Sequence, residues 1–115
     1  MSYLSLYPGW TNTEVNYQTK NIIYLIGCQK SREQYVGEMS RSLQDGFSEH
    51  FGYVKNKHLN KATGEHFNIK GHNQSDMKIS IIEKLHSSSE QYRKQREKMF
   101  IAKLNTKYKG MNQKT

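Results

Sequence analysis

At 115 residues the chain is the length of one domain, with room for a modest core and not for two. Its 18 Lys+Arg against 10 Asp+Glu give a net charge of +8 and a pI near 9.6, and only 34% of it is hydrophobic at a mean hydropathy of -0.96. A polyanion is therefore the expected partner, nucleic acid ahead of any membrane.

No apolar run approaches the roughly 20 residues of a membrane span, no signal-peptide pattern opens the chain, and the single Cys28 excludes an internal disulfide. We expect a soluble intracellular protein in a reducing compartment. Met1 to Lys20 holds the one proline and the one tryptophan without a sustained period, and reads as a tail or linker in which Tyr7 and Trp10 pack loosely on the domain. Asn21 to Glu38 (NIIYLIGCQKSREQYVGE) reads as a hairpin. Its first run is β-branched and aromatic, its second is Gln34 to Gly37, and Cys28 to Glu33 between them is polar and turn-like. On a strand Ile22, Tyr24 and Ile26 share one face and Ile23 and Leu25 the other, so both sides of the sheet are covered and the Tyr24 phenol needs a polar partner.

Ser40 is placed to cap a helix in which Leu43, Phe47, His50 and Phe51 share a face, with Leu43, Phe47 and Phe51 packing on the sheet. Gly46 is out of place within it, at a cost of about 1 kcal/mol against alanine. Tyr53 to Asn60 continues as a basic connection whose His58 reads as a solvated surface histidine. Ala62 to Ile69 is a short helix or turn presenting His66 and Phe67 before the break at Gly71. Met77 to Leu85 alternates as a third strand, with Ile79, Ile81 and Leu85 on one side. Ser87 to Ser89 cap a third helix that runs to about Leu104, with Glu90 in its first turn where a carboxylate suits the helix dipole. Its inward stripe is Arg93, Glu97, Phe100, Ile101 and Leu104, which puts an acid on an apolar face. From Asn105 the chain returns to the surface, with Gly110, Met111 and Asn112 touching the body of the domain.

A positively charged domain with two sheet tyrosines, a helix-borne acid and several histidines has the parts for phosphodiester hydrolysis. That reaction needs a base to activate water, a cation against the charge growing on the phosphate, and positioning groups. Tyr24 or Tyr35 serves as base only if adjacent positive charge draws its pKa well below about 10. Glu97 would hold a hard, oxygen-seeking ion such as Mg²⁺. The residues alone leave plainer readings open: sheet tyrosines that are simply core, and a Glu97 paired to Arg93 or Arg96. The basic residues Arg41, Lys55, Lys57, Lys61, Arg93, Lys94, Lys98 and Lys107 make either a phosphate track with steep salt dependence or a solubility face.

In the order Ile22-Ile23-Tyr24, Tyr35-Val36-Gly37, His50, Glu97 within REK-x-FI-x-KLNT, and Gly110-Met111-Asn112, the chain resembles the GIY-YIG endonuclease family over roughly Asn21 to Asn112. Its wording further resembles domains attached to Penelope-like retroelements, with a pattern YLI-x-C-x-x-C-x-x-QYVGET-x-x-SL-x-x-R-x-x-x-H and then HFN and GH. Here the text is YLIGCQKSREQYVGEMSRSLQDGFSEH, then His66-Phe67-Asn68 and Gly71-His72. The resemblance implies an α+β fold, a small three-stranded antiparallel sheet flanked by helices, over residues 21–112, with tails at 1–20 and 113–115. It implies an active site of Tyr24, Tyr35, His50, Glu97 and Asn112. Glu97 would bind Mg²⁺ or Mn²⁺, a tyrosine, Tyr24 ahead of Tyr35, would be the base, and Tyr35 and His50 would hold the scissile phosphate or leaving group. The implied substrate is double-stranded DNA. The implied context is a reverse transcriptase polyprotein acting in the nucleus.

This chain departs from the pattern in three places. Gly46 stands where the family has its catalytic arginine, four residues before the helix histidine, and losing such a contact costs on the order of 10² to 10⁵ in rate. Arg41 is no substitute on a helix, where five residues turn it about 140° away, so impaired cleavage, or a binding module that does not cut, is expected. Ser31 takes the place of the second cysteine of a Cys-Cys-His-His set, leaving Cys28, His66 and His72 as either a weak zinc site completed by water or a buried thiol with packed histidines. Met39 stands where the family usually has a small polar residue.

Overall fold

The computed structural model describes residues 16–69 and 71–114. Three antiparallel strands, β1 (Lys20–Cys28), β2 (Gln34–Ser42) and β3 (Met77–Lys84), lie in the order β2-β1-β3. The strand with the longest unbroken apolar run, Ile22 to Ile26, is therefore central and β2 forms an edge. The helices α1 (Leu43–Lys55) and α2 (Ala62–His66) come after the hairpin, and α3 (Glu90–Leu104) comes after β3. A short α4 (Thr106–Lys109) and a 3-10 turn, Met111–Lys114, close the described chain. This is the α+β architecture that the resemblance implies.

Alternation along β1 fills two cores. Ile22, Tyr24, Ile26 and Cys28 pack with Leu43, Val54, Phe67, Met77, Ile79 and Ile81 on the face covered by α1 and α2. Ile23 and Leu25 pack with Val36, Ile82 and Leu85 under Phe100, Ile101 and Leu104 of α3. Five of these isoleucines are at most 1% exposed, and each contributes about 1.5–3 kcal/mol by leaving water.

Five expectations shift on contact with the fold. Leu85 lies in the second core and not beside Ile79 and Ile81. The register slips between Ile23, opposite Glu83, and Tyr24, opposite Ile81, so Ile82 is an extra residue that reverses the facing of the rest of the strand, Leu85 included. β2 does not stop near Gly37 but runs on to pair Ser42 with Lys20, and the helix N-cap is accordingly Ser42, whose Oγ accepts from Asp45 N–H at 3.2 Å, instead of Ser40. The deepest stripe of α1 is Leu43, Gly46, His50 and Val54, with Phe47 and Phe51 half-buried beside it. The body also begins before Asn21: the Tyr17 carbonyl accepts from Gln44 N–H at 2.9 Å, and the Tyr17 ring packs against the first core. The readings of Tyr7 and Trp10 lie outside the described residues.

At Val36 the open edge of β2 is covered by the C-terminal part of the domain. Asn112 accepts from Val36 N–H at 2.7 Å and donates to Val36 O at 2.9 Å, imitating a neighbouring strand for one residue.

Candidate active site

The site is built where the Tyr24 ring crosses β2. Tyr24 on β1 is paired with Gly37, and a Cβ at position 37 would land on the Tyr24 ring and hydroxyl. Only glycine leaves room for the ring to lie over the strand toward its outer edge. Tyr35 on β2 stands beside it, ring centres 6.4 Å apart, and His50 on α1 approaches both, at 5.8 Å from Tyr24 and 5.1 Å from Tyr35. His50 is the polar partner that the sheet phenol requires, with Nε2 2.7 Å from the Tyr24 hydroxyl. The other ring nitrogen, Nδ1, is 2.8 Å from Thr63 Oγ1 on α2. A cavity of about 420 Å³ opens over this group, and Glu97 of α3 lines it together with Tyr24, Tyr35 and His50. Glu38 and Glu49, Tyr53, Lys61 and Lys94 complete its walls.

The electrostatics are those of a site short of positive charge. Burial raises the Tyr24 and Tyr35 hydroxyls well above the ordinary phenol range, and the carboxylates of Glu97, Glu49 and Glu38 push the same way. Both are therefore neutral phenols in the free protein, the opposite of the lowered pKa that a tyrosine base needs. Burial also takes His50 down to about 4, so its imidazole is neutral at pH 7. Burial, then Glu38, raises the Glu97 carboxyl against a smaller opposing pull from Lys94. Glu38 is itself held below the usual carboxylate range, because hydrogen bonds from Lys94 and Arg93 outweigh its burial. The alternative left open by the residues, Glu97 paired to Arg93 or Arg96, does not occur among the described residues: Arg93 Nε binds Glu38 at 2.8 Å and Arg96 Nε binds Glu83 at 2.6 Å.

The family model described as the GIY-YIG catalytic domain matches residues 20–112. The chain belongs to the GIY-YIG family. No curated protein and no solved structure matches it. The GIY of the name is here Ile22-Ile23-Tyr24 and the YIG is Tyr35-Val36-Gly37, so the motif residues are the two phenols and the glycine over which one of them passes. Membership supports nuclease chemistry in general, which acts on DNA and in this family generally uses a divalent metal.

Within the GIY-YIG domain Gly46 is the fourth residue of α1, buried, and a Cβ there would point at the cavity wall, 2.8 Å from Met39 Cε and 4.0 Å from Tyr24 Cε1. Met39 thus occupies the space into which a side chain at 46 would grow. Arg41 lies on β2 and not on the helix, so helical rotation does not decide its position; its guanidinium is spent on Glu49 at 2.9 Å. Of the proposed nucleic-acid contacts, Lys61 and Lys94 line the cavity, while Lys55, Lys57, Lys98 and Lys107 are exposed elsewhere. Arg93 is not available to a phosphate, because it is 8% exposed and committed to Glu38 and to Ser88 O. Asn112 does not line the cavity; its amide holds Val36, between the motif residues Tyr35 and Gly37. Its role in the geometry is to fix that strand. His58 is exposed and stacks on Tyr53. Thr63, Glu38, Glu49 and Tyr53 are site residues that no sequence pattern singles out.

A second cluster lies apart from the phenols. Cys28, His66 and His72 bring their ligand atoms within 4.8 Å of one another. Ser31 enters the same group: its N–H donates to Cys28 Sγ at 3.3 Å, and its Oγ is 3.0 Å from His66 Nε2. The other nitrogen of His66 faces Glu33 at 3.1 Å. Among the described residues neither ring nitrogen of His72 has a hydrogen-bond partner, although both are buried, which is costly for buried polar atoms and would be relieved by a metal ion. The donor set suits zinc, with one thiolate and two imidazoles.

Proposed function

We propose that this GIY-YIG domain is a metal-dependent DNA endonuclease that nicks double-stranded DNA, and that its cleavage is impaired because Gly46 stands at the catalytic arginine position. The observation that carries the reading is the convergence of Tyr24, Tyr35, His50 and Glu97, from four different elements, on one cavity. Glu97 fits a hard divalent ion: a half-buried carboxylate with no arginine partner among the described residues, whose negative charge is opposed by burial and by Glu38, gains from a cation. Mg²⁺ or Mn²⁺ there would supply positive charge against the phosphate and the attacking oxygen.

The chain's own groups divide the remaining work. Tyr24 takes the proton of the attacking water, which it does only when positive charge beside it brings its raised pKa down. His50 holds the Tyr24 oxygen in place. Tyr35, on the edge strand, directs its hydroxyl to the phosphate, and Lys61 and Lys94 on the cavity walls draw the backbone in. The Cys28, His66 and His72 cluster binds zinc weakly, because Ser31 replaces a thiolate. The wording of Tyr24 to His50, His66-Phe67-Asn68 and Gly71-His72 supports a Penelope-like retroelement context, fused to or excised from a reverse transcriptase polyprotein and acting in the nucleus.

Supercoiled plasmid incubated with Mg²⁺ or Mn²⁺ tests the reading. Slow nicking that Glu97→Ala abolishes supports it, whereas cleavage that survives Glu97→Ala belongs to a contaminant. A second reading, a module that binds nucleic acid without cutting, is favoured by one observation: Met39 fills the space beside Gly46. In that case DNA binding persists with a steep salt slope, and no variant at position 46 produces nicks.

A further inference from the structure

Thr63, on the first turn of α2, is 0% exposed. Among the described residues the one hydrogen-bond partner of its hydroxyl is His50 Nδ1, at 2.8 Å. The opposite nitrogen, Nε2, is the one 2.7 Å from the Tyr24 hydroxyl. A neutral imidazole with a partner at each nitrogen donates at one end and accepts at the other. Burial keeps this ring neutral at pH 7. Were the proton on Nδ1, Thr63 Oγ1 would accept it and the hydroxyl hydrogen would be sealed from water with no acceptor. With Nδ1 bare, the hydroxyl hydrogen is used and only an oxygen lone pair is left over, which costs less to bury.

We propose that Thr63 is the positioning residue of the site: its hydroxyl donates to His50 Nδ1 and so places the ring proton on Nε2, aimed at the Tyr24 oxygen. The Tyr24 O–H then points away from His50 and into the cavity. When that proton leaves, the phenolate keeps a hydrogen-bond donor from His50, which favours the charged form. His50 thus stabilises negative charge on Tyr24 and does not remove its proton. The catalytic consequence rests on the endonuclease reading; the tautomer of His50 does not.

Long-range ¹⁵N–¹H correlation of the full chain at pH 7 reads the tautomer, with His50→Asn identifying the signal. Wild-type protein is expected to show His50 protonated at Nε2 and bare at Nδ1. Thr63→Val, which keeps the shape and removes the hydroxyl, should move it to Nδ1–H or to a mixture, and Thr63→Ser should restore the wild-type pattern. In a background that nicks DNA, Thr63→Val should slow nicking about ten- to a hundredfold, the range seen when an outer partner of a site is removed, and Thr63→Ser should recover it. A wild-type His50 with its proton on Nδ1 overturns the proposal without any variant, and so does a Thr63→Val protein whose tautomer is unchanged. If no variant nicks yet the tautomer tracks the hydroxyl, the endonuclease reading fails and the positioning of His50 stands.

Discussion

Placing an arginine at position 46 tests the proposed catalytic position directly, and the packing around Met39 requires that it be done as a pair. Replacing the helical glycine recovers about 1 kcal/mol, but a Cβ at 46 lies 2.8 Å from Met39 Cε. Pushing that flexible side chain off its rotamer costs about 0.5–1.5 kcal/mol. Gly46→Arg alone therefore changes stability by less than about 1 kcal/mol in either direction, and its guanidinium is deflected by Met39. Met39→Thr clears the path with a residue that suits a strand, and the two changes should couple by about 0.5–3 kcal/mol in a double-mutant cycle. Because the new side chain starts 4.0 Å from Tyr24 Cε1, its charge also lowers the raised Tyr24 pKa. Plasmid nicking with Mg²⁺ should rise by at least about 10²-fold in Gly46→Arg/Met39→Thr over the parent, with Glu97→Ala in the same background as control and tyrosinate absorbance tracking the phenol. A folded double variant that nicks no faster than the parent, with its tyrosine titration unmoved, would refute position 46 as the proposed place of a catalytic cation.

Gly37→Ala should cost about 1–3 kcal/mol by overpacking and break the Tyr24–His50 hydrogen bond, because the new methyl falls on the Tyr24 ring; urea melts and nicking measured together show both. Stability should fall as pH drops from 6.5 to about 4. His50 goes from its ordinary 6.5 to about 4 on folding, so the unfolded chain binds that proton first and up to about 3 kcal/mol is lost across the window. Burial lowers His66 in the same direction and adds to the loss; urea melts at intervals over this range should show a shallower slope in His50→Asn. Zinc added to chelator-treated protein should raise the melting temperature, by about 2.7 kcal/mol of stabilisation at a hundred times its Kd. Cys28→Ala should remove the effect and Ser31→Cys should strengthen it, and a zinc response indifferent to both would place the ion elsewhere.

Periodicity in β1 carried the two-sided core, because strict alternation of Ile22, Tyr24 and Ile26 against Ile23 and Leu25 needs no tertiary information. The same logic failed at Leu85, since a bulge at Ile82 leaves the sequence alternation untouched while reversing the facing. The strand end was hidden for a similar reason: Ser40 and Ser42 are both able to cap, and only pairing of Ser42 with Lys20 decides between them. Motif order singles out Tyr24, Tyr35, His50 and Glu97, and the fold brings these four to one cavity. Their charges were not legible, because burial and nearby carboxylates set them, and these depend on how α3 reaches the edge of the sheet. Thr63 was invisible for a further reason: it meets His50 through a loop with no period.

Val36 and Asn112 are 76 residues apart, yet they make two hydrogen bonds between them. A growing chain that has not yet delivered residue 112 leaves both polar atoms of Val36 unmatched, next to Tyr35 on one side and Gly37 on the other. The strand edge beside the phenols, and the cavity that also needs Glu97 from α3, are thus completed only once the C-terminal part of the domain has emerged.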